Sequence, residues 1–178
     1  MDLIQIKDKK FRKFITSEEI DLAIERIANQ INTDYKNDEP VLLITLNGAI
    51  LFGSDLLKKL TINCTITCIK ISSYSGIEST EQINSLIGIN EDLEGKRVII
   101  IEDIVDTGNT YEHIVAELQD HKVKDIRMAT MTFKPDAYKK EIPIHYIGIS
   151  IPKLFVVGRG LDYDGLGRNL NDIYQLAE

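Results

Sequence analysis

The chain of 178 residues has few of the residues that mark special protein classes. Two cysteines are too few for a disulfide scaffold, and four prolines and 11 glycines exclude collagen-like and disordered classes. No apolar run approaches the roughly 18 residues that a membrane helix requires. Residues 1–14 alternate apolar and charged side chains and lack the hydrophobic core of a signal peptide. These absences predict a soluble cytoplasmic protein.

Positive charge is also scarce, because 21 Lys and Arg face 28 Asp and Glu, which gives a formal net charge of −7. An acidic chain without a basic tract is a poor candidate for a nucleic-acid-coating protein, so neither a nucleic acid nor a membrane is an expected partner. The composition still allows a local pocket for a phosphorylated small molecule. His113, His121 and His145 have no metal-binding spacing, and we expect Cys64 and Cys68 to be buried structural thiols.

Helical stripes and apolar runs alternate along the chain. Thr16 and Glu19 form a capping-box pattern that predicts the start of a helix. Continuous apolar runs at 41–46 and 97–101 are typical of strands buried on both faces. Further strands are predicted at 62–71, 126–133 and 144–149, and further helices at 50–60 and 109–120. This order predicts one α/β domain over residues 1–178, with a mostly parallel sheet that helices cover on both faces.

Two segments lack a clear period. Residues 72–85 (SSYSGIESTEQINS) are polar and too long for a simple connection, so they favour a flexible active-site loop. Residues 151–178 are rich in glycine and are predicted to be irregular.

The most informative segment is 98–110, VIIIEDIVDTGNT. A buried strand ends in two adjacent acids, Glu102 and Asp103, at the edge where open α/β sheets bind their ligands. A third acid, Asp106, precedes residues 107–110, which open a helix. Gly108 lets the backbone approach an anion, and the N–H groups and the dipole of the first helical turn attract a phosphate. Acceptor carboxylates beside an anion site suit a 5′-phosphorylated ribose, whose 2′ and 3′ hydroxyls can donate to them.

Residues 102–110 resemble the phosphoribosyl-diphosphate signature of the type I phosphoribosyltransferases, and DIVDTG is similar to the 6-oxopurine branch of that family. LNGAILF, SSYSGIEST, TFKP and FVVGRGLDYDGLGRNL, in that order, extend the resemblance over most of the chain. It implies the type I fold with a small hood formed by the terminal segments, and a homodimer or homotetramer. It also implies an Mg²⁺-dependent purine salvage enzyme that transfers the 5-phosphoribosyl group from 5-phosphoribosyl 1-diphosphate to N9 of a 6-oxopurine base, hypoxanthine or guanine.

The resemblance also implies a role for each matching residue. The ribose, partly through Mg²⁺, contacts Glu102 and Asp103, and a second Mg²⁺ contacts Asp162. Asp106 is the general acid/base near N7 and, with Thr107, Gly108, Asn109 and Thr110, surrounds the 5′-phosphate. The purine is bound by Lys134, Phe155, Val156 and Asp162, the last of these in the C-terminal base-recognition segment at about 151–178. The diphosphate is bound by Asn47, Gly48 and Arg168. Ser73 and Tyr74 belong to the loop that closes over the site.

Two positions depart from the family pattern. Asn47 stands where a basic residue is common, which is tolerable if that turn acts through its backbone and weakens diphosphate binding if it needs a cation. Arg159 stands where an aromatic residue is common, and it either compensates for the missing charge or points to solvent.

Two alternatives come from other functional classes. A non-catalytic regulator with the same fold would sense a nucleotide or phosphoribosyl diphosphate, but the retained Asp106, Lys134 and Phe155 disfavour it. A phosphoacceptor receiver domain would have a shorter chain and would carry the acidic pair on an early strand, and this sequence has neither feature.

Overall fold

The computed structural model describes residues 3–74 and 82–177, apart from the side chains of 72–74 and 82–85. In chain order its elements are β1 (Leu3–Ile6), β2 (Lys9–Ile15), α1 (Ser17–Asp34), β3 (Val41–Leu46), α2 (Ile50–Lys59), β4 (Thr65–Tyr74), β5 (Gln82–Ile87), β6 (Arg97–Val105), α3 (Asn109–Asp120), β7 (Asp125–Phe133), β8 (Tyr146–Ser150), β9 (Val156–Val157) and β10 (Ile173–Ala177).

A six-stranded sheet with the order β5-β4-β3-β6-β7-β8 forms the larger part of the structure. Its neighbouring strands pair in parallel, except that β5 runs antiparallel to β4. The apolar runs of β3 and β6 lie next to each other in the middle of the sheet, where both of their faces are covered. The predicted α/β fold with a mostly parallel sheet is confirmed.

Helices pack on both faces of this sheet. Leu42 of β3 packs in a core with α1 and α2, whereas its neighbour Leu43 packs in a second core with α3. This alternation follows from the two-residue period of a strand. Helix α1 begins with the predicted capping box, because Thr16 and Glu19 each accept a hydrogen bond from the other's backbone N–H. Among the described residues, no helix has the length and apolar character needed to cross a membrane.

A second, four-stranded sheet with the order β1-β2-β10-β9 joins the two ends of the chain. We call this sheet, together with residues 158–172 that connect β9 to β10, the hood. Its small core contains Ile6, Phe11, Val157 and Tyr174. The expectation of an irregular segment from residue 151 onward was wrong at 156–157 and 173–177, which are strands. Strand β10 is stabilised mainly by antiparallel pairing with β2, a partner at the other end of the sequence that local patterns do not reveal.

Strands occupy both ends of the polar segment that the sequence predicts as a loop at 72–85. Strand β4 continues to residue 74 and pairs with β5, so that Ser72 lies opposite Asn84. Antiparallel pairing satisfies the backbone here although the side chains are polar. Residues 75–81 lie outside the described residues. Strand β6 also extends beyond the predicted boundary at 101 and includes the acidic pair.

Candidate active site

The turn after β3 packs against the acidic end of β6. Because Ile44 pairs with Ile101, the turn at Asn47 and Gly48 comes level with Asp103 on the neighbouring strand. A Cβ atom at residue 48 would overlap the carboxylate of Asp103, so this close approach requires glycine. The predicted diphosphate turn and the predicted ribose acids therefore share one wall of the site.

The ends of β6 and β7 bring together two residues that are 28 positions apart. Val105 pairs with Phe133, so Asp106 and Lys134 follow neighbouring strands at the same level. Lys134 Nζ lies 2.6 Å from Asp106 Oδ2, and the lysine side chain is 11% exposed whereas the aspartate is 47% exposed. Such a short charge-assisted hydrogen bond holds the ammonium group in place. The predicted purine contact and the predicted general acid/base are thus adjacent.

Glu102 and Asp103 are two neighbouring acids in a largely buried position. Glu102 is 5% exposed, and its Oε1 has no hydrogen-bond partner among the described residues. Burial, with the nearby charge of Asp103, raises the pKa of Glu102 well above its usual value. Burial also raises the pKa of Asp103 to about 6, although the backbone N–H of Ile104, 2.9 Å from Asp103 Oδ1, acts in the opposite direction. The folded chain therefore holds two acids that are unfavourable as anions without a donor or a cation beside them.

This pair fits a hard divalent cation such as Mg²⁺. An unpartnered buried carboxylate oxygen is the type of ligand that Mg²⁺ prefers, and one or two protein carboxylates are usual when substrate oxygens and water complete the shell. Among the described residues, no group of three or more His, Cys, Asp or Glu side chains is arranged to hold a metal by itself. An ion at Glu102 and Asp103 would consequently need oxygen atoms from a substrate.

Residues 106–110, which the sequence predicts to hold the 5′-phosphate and which we call the phosphate cradle, form the turn into α3 and the start of that helix. Gly108 has a positive φ of 87° and is the N-cap of α3, and a Cβ atom there would lie 2.5 Å from Tyr138 Cε2. The first turn of the helix is closed by the bond from the Glu112 N–H to the Gly108 carbonyl at 2.9 Å. A cavity of about 180 Å³ adjoins the turn, lined by Glu102, Ile104, Val105, Asp106, Thr107, Gly108, Asn109, Thr110 and Tyr111. Its size and its helix N-terminus suit a phosphate monoester.

The hood contributes Asp162 and Arg168. Arg168 Nη2 lies 2.7 Å from Asp162 Oδ1, and the other carboxylate oxygen accepts a hydrogen bond from the Gly165 N–H at 2.7 Å. Both charges act on Asp103, because Arg168 lowers its pKa and Asp162 raises it. Both carboxylate oxygens of Asp162, the predicted second metal ligand, are therefore already engaged within the chain.

Phe155 and Val156 differ in exposure. Phe155 is 46% exposed and has Tyr163 edge-on at 5.9 Å and Phe11 at 6.2 Å between ring centroids, so its free face is available for stacking. Val156 is buried in β9 and is paired with Gln175.

Ser73 and Tyr74 end β4, and their side chains lie outside the part that the structure describes. Their predicted role in a closing loop stays a prediction.

Sequence reasoning missed the residues that support the cradle and the diphosphate turn. Tyr138 backs Gly108, and Gly160 approaches the Gly48 carbonyl so closely that a Cβ atom would overlap it. The glycines of the GRG segment were a usable signal in the sequence, because glycine permits a positive φ and a close backbone approach. Gly158 and Gly160 both have a φ of 104° in the structure.

The parallel sheet, the acids at its carboxyl edge and the helix N-terminus beside them are the arrangement expected of a transferase that handles a phosphorylated pentose. In agreement, the sequence profile of the phosphoribosyl transferase domain matches residues 15–164. The chain belongs to the phosphoribosyltransferase family.

Within that family, the chain is 38% identical to a hypoxanthine-guanine phosphoribosyltransferase of Staphylococcus aureus over 88% of both chains. Among solved structures, a hypoxanthine phosphoribosyltransferase from Staphylococcus aureus has a TM-score of 0.88 at 36% identity, covering 93% of this chain and 91% of that one. A Bacillus anthracis hypoxanthine-guanine phosphoribosyltransferase, crystallised with HEPES in its active site, has a TM-score of 0.86 at 30% identity, covering 94% and 97%. The resemblance found in the sequence is confirmed, and the protein is an enzyme of the hypoxanthine-guanine phosphoribosyltransferase group.

Proposed function

We propose that this enzyme transfers the 5-phosphoribosyl group from 5-phosphoribosyl 1-diphosphate to N9 of hypoxanthine or guanine, which gives IMP or GMP and diphosphate. The observation that carries the proposal is the ion pair between Lys134 and Asp106 beside the phosphate cradle. A cationic donor lies next to a carboxylate that lines the cavity proposed for the ribose phosphate, so a base attached to that sugar would be expected near both groups.

Lys134 accounts for the choice of base. An ammonium group donates to the 6-oxo oxygen of hypoxanthine or guanine, whereas the 6-amino group of adenine would present a second donor to it. Because an unpaired buried donor costs free energy, adenine is disfavoured. Phe155, with its free face, would stack on the purine ring, and Val156 would contact its edge through the backbone.

Asp106 accounts for the proton. As N9 forms its bond to C1′ of the ribose, the bond from C1′ to the diphosphate breaks and the base must lose a proton at N7. Asp106 Oδ2, which lies 2.6 Å from Lys134 Nζ, would accept that proton. The first-turn N–H groups of α3 would hold the 5′-phosphate, and the backbone of the turn at Asn47 and Gly48, with Arg168, would face the diphosphate.

Mg²⁺ held by Glu102 and Asp103 would neutralise charge on the departing diphosphate when bound. The raised pKa values of these two acids support a site that takes a cation together with substrate. Asp162 as a second ligand remains part of this proposal and requires release from Arg168. A homodimer or homotetramer is proposed from the family resemblance.

The test is a spectrophotometric assay of the purified protein with phosphoribosyl diphosphate and each of hypoxanthine, guanine, xanthine and adenine, with Mg²⁺ and with chelator. We expect hypoxanthine or guanine to be consumed only when Mg²⁺ is present, and adenine to be inactive. A preference for adenine would refute the role of Lys134. If nucleotide bound but no base reacted, the regulator alternative would replace the enzyme.

A further inference from the structure

Arg159 connects the hood to both helices on one face of the main sheet. Its Nη2 lies 2.7 Å from Asp21 Oδ1 in α1 and 2.8 Å from Asp55 Oδ2 in α2, and its side chain is only 13% exposed. The backbone reaches this position with a φ of 49°, which is uncommon for a residue with a side chain. Arg159 therefore does not point to solvent. Because two acids already balance its charge, it does not replace the basic residue that is common at position 47, where this chain has Asn.

The same segment touches the predicted diphosphate turn. Gly160, the next residue, packs against the carbonyl of Gly48, and its N–H donates to the Arg168 carbonyl at 2.9 Å. Arg168 Nη1 in turn donates to the Gly160 carbonyl at 2.6 Å. The turn at residues 47–49 leads directly into α2, the helix that carries Asp55. The turn is thus held from two sides, by Gly160 of the hood and by the helix that follows it.

We propose that Arg159 is a positioning residue for diphosphate binding: by tying residues 158–160 to Asp55 and Asp21, it fixes the contact between Gly160 and the turn at Gly48. The expected effect on KM rests on the proposed function. The contact between Gly160 and the turn does not, because it is present in the unliganded chain. Asn47 makes such a residue useful, because a turn without a cationic side chain must bind diphosphate through backbone N–H groups, which have to be held in position.

The geometry is tested by amide hydrogen exchange of the unliganded protein. Arg159→Gln removes the charge and keeps most of the length, and Asp55→Asn removes the same link from the helix side. Lys58→Gln is the matched control, because Lys58 pairs with Asp55 within one helix and links no elements. In both linking variants we expect roughly tenfold faster exchange at the amides of Ala49 and Gly160. The amide of Glu112 in α3 should be unchanged.

The consequence for function is tested by kinetics of the same variants. We expect the KM for phosphoribosyl diphosphate to rise by roughly tenfold in Arg159→Gln. The KM for the base and the Kd of the mononucleotide product, which carries no diphosphate, should stay within about twofold. Arg159→Lys, which keeps the charge, should recover part of the loss. A purely structural residue would instead lower the thermal midpoint and weaken all ligands alike.

Two results overturn the proposal. Unchanged exchange at Ala49 and Gly160 in both linking variants would show that Arg159 does not hold the turn, whatever the enzyme's substrate. Faster exchange with equal loss for base, nucleotide and phosphoribosyl diphosphate would show a general structural role. A wild-type protein that converts no purine base would refute the proposed function, while the exchange result would still decide the geometric part.

Discussion

Replacing Asp106 by Asn separates the chemistry of the site from its binding. The side chain keeps its shape, and the amide oxygen can still accept a hydrogen bond from Lys134 Nζ, now 2.6 Å from the carboxylate. The substitution removes the negative charge and the capacity to accept a proton, and it replaces one carboxylate oxygen by an NH2 donor. We therefore expect the base and the ribose phosphate to bind in the same place while the proton at N7 has no acceptor.

The expected magnitudes differ for turnover and stability. Loss of a positioned general base lowers turnover by about 10²–10⁴-fold, or roughly 3–5 kcal/mol of activation free energy. The lost charge interaction is much smaller, because Asp106 is 47% exposed and solvent screens it, so we expect a destabilisation of about 0.5–1 kcal/mol. A domain of ordinary stability, about 5–15 kcal/mol, remains folded after such a loss.

The assay combines steady-state turnover with titration of the mononucleotide product. Asp136→Asn is the matched control, because Asp136 is an exposed acid two residues after Lys134 and makes the same change of charge. We expect the control to keep turnover within about twofold, and Asp106→Asn to keep the Kd of the nucleotide within about threefold. Turnover of Asp106→Asn close to that of the wild type would remove Asp106 from proton transfer. A loss of nucleotide affinity as large as the loss of turnover would assign it to binding instead.

Three further substitutions test other parts of the site. Lys134→Ala should raise the KM for hypoxanthine and guanine by roughly 10- to 100-fold and that for phosphoribosyl diphosphate much less, and equal increases would refute a base contact. Gly48→Ala should displace the Asp103 carboxylate and weaken phosphoribosyl diphosphate binding in calorimetry by at least about tenfold, whereas Gly88→Ala, whose Cβ would meet only one atom at 4.0 Å, should not. Asp103→Asn should raise the free energy of unfolding by roughly 3 kcal/mol at pH 7.5. A folded-state pKa of about 6 against 3.8 in the unfolded chain makes the contribution of the Asp103 carboxyl group to stability fall as pH rises through that interval. Urea denaturation should show the difference vanish below about pH 3, where the carboxyl group is protonated in both states, and a difference that persists there would contradict the assignment.

The parallel strands of the main sheet could be predicted from the sequence because their signals are local, whereas β5 begins within the segment predicted as a loop. Continuous apolar runs mark β3 and β6, and the acids near the carboxyl end of β6 lie at the ligand-binding edge by a general property of parallel sheets. The capping box of α1 and the bounds of α3 also follow from short-range patterns. Each of these features depends on residues that are close together in the sequence.

The hood and the pairings between distant side chains could not be predicted in this way. Strand β10 exists because β2 offers an edge, and the two are separated by most of the chain. Lys134 by itself is an ordinary lysine at a strand end, and only the register of β6 and β7 puts it next to Asp106. Arg159 was open to two interpretations at the level of the sequence, and its contacts with Asp21 and Asp55 fit neither.

The two halves of the site consequently depend on different forces. The cradle and the acids are positioned by strand register and by a helix N-terminus. Backbone hydrogen bonds maintain both features, so they depend little on individual surface side chains. The diphosphate side is fixed by the contact between Gly48 and Gly160 and by the arginine that anchors it. With Asn47 neutral, the turn itself contributes through backbone N–H groups, whose hydrogen bonds depend steeply on distance and angle. The proposed roles therefore lead us to expect substitutions in the hood to affect phosphoribosyl diphosphate first and the purine base second.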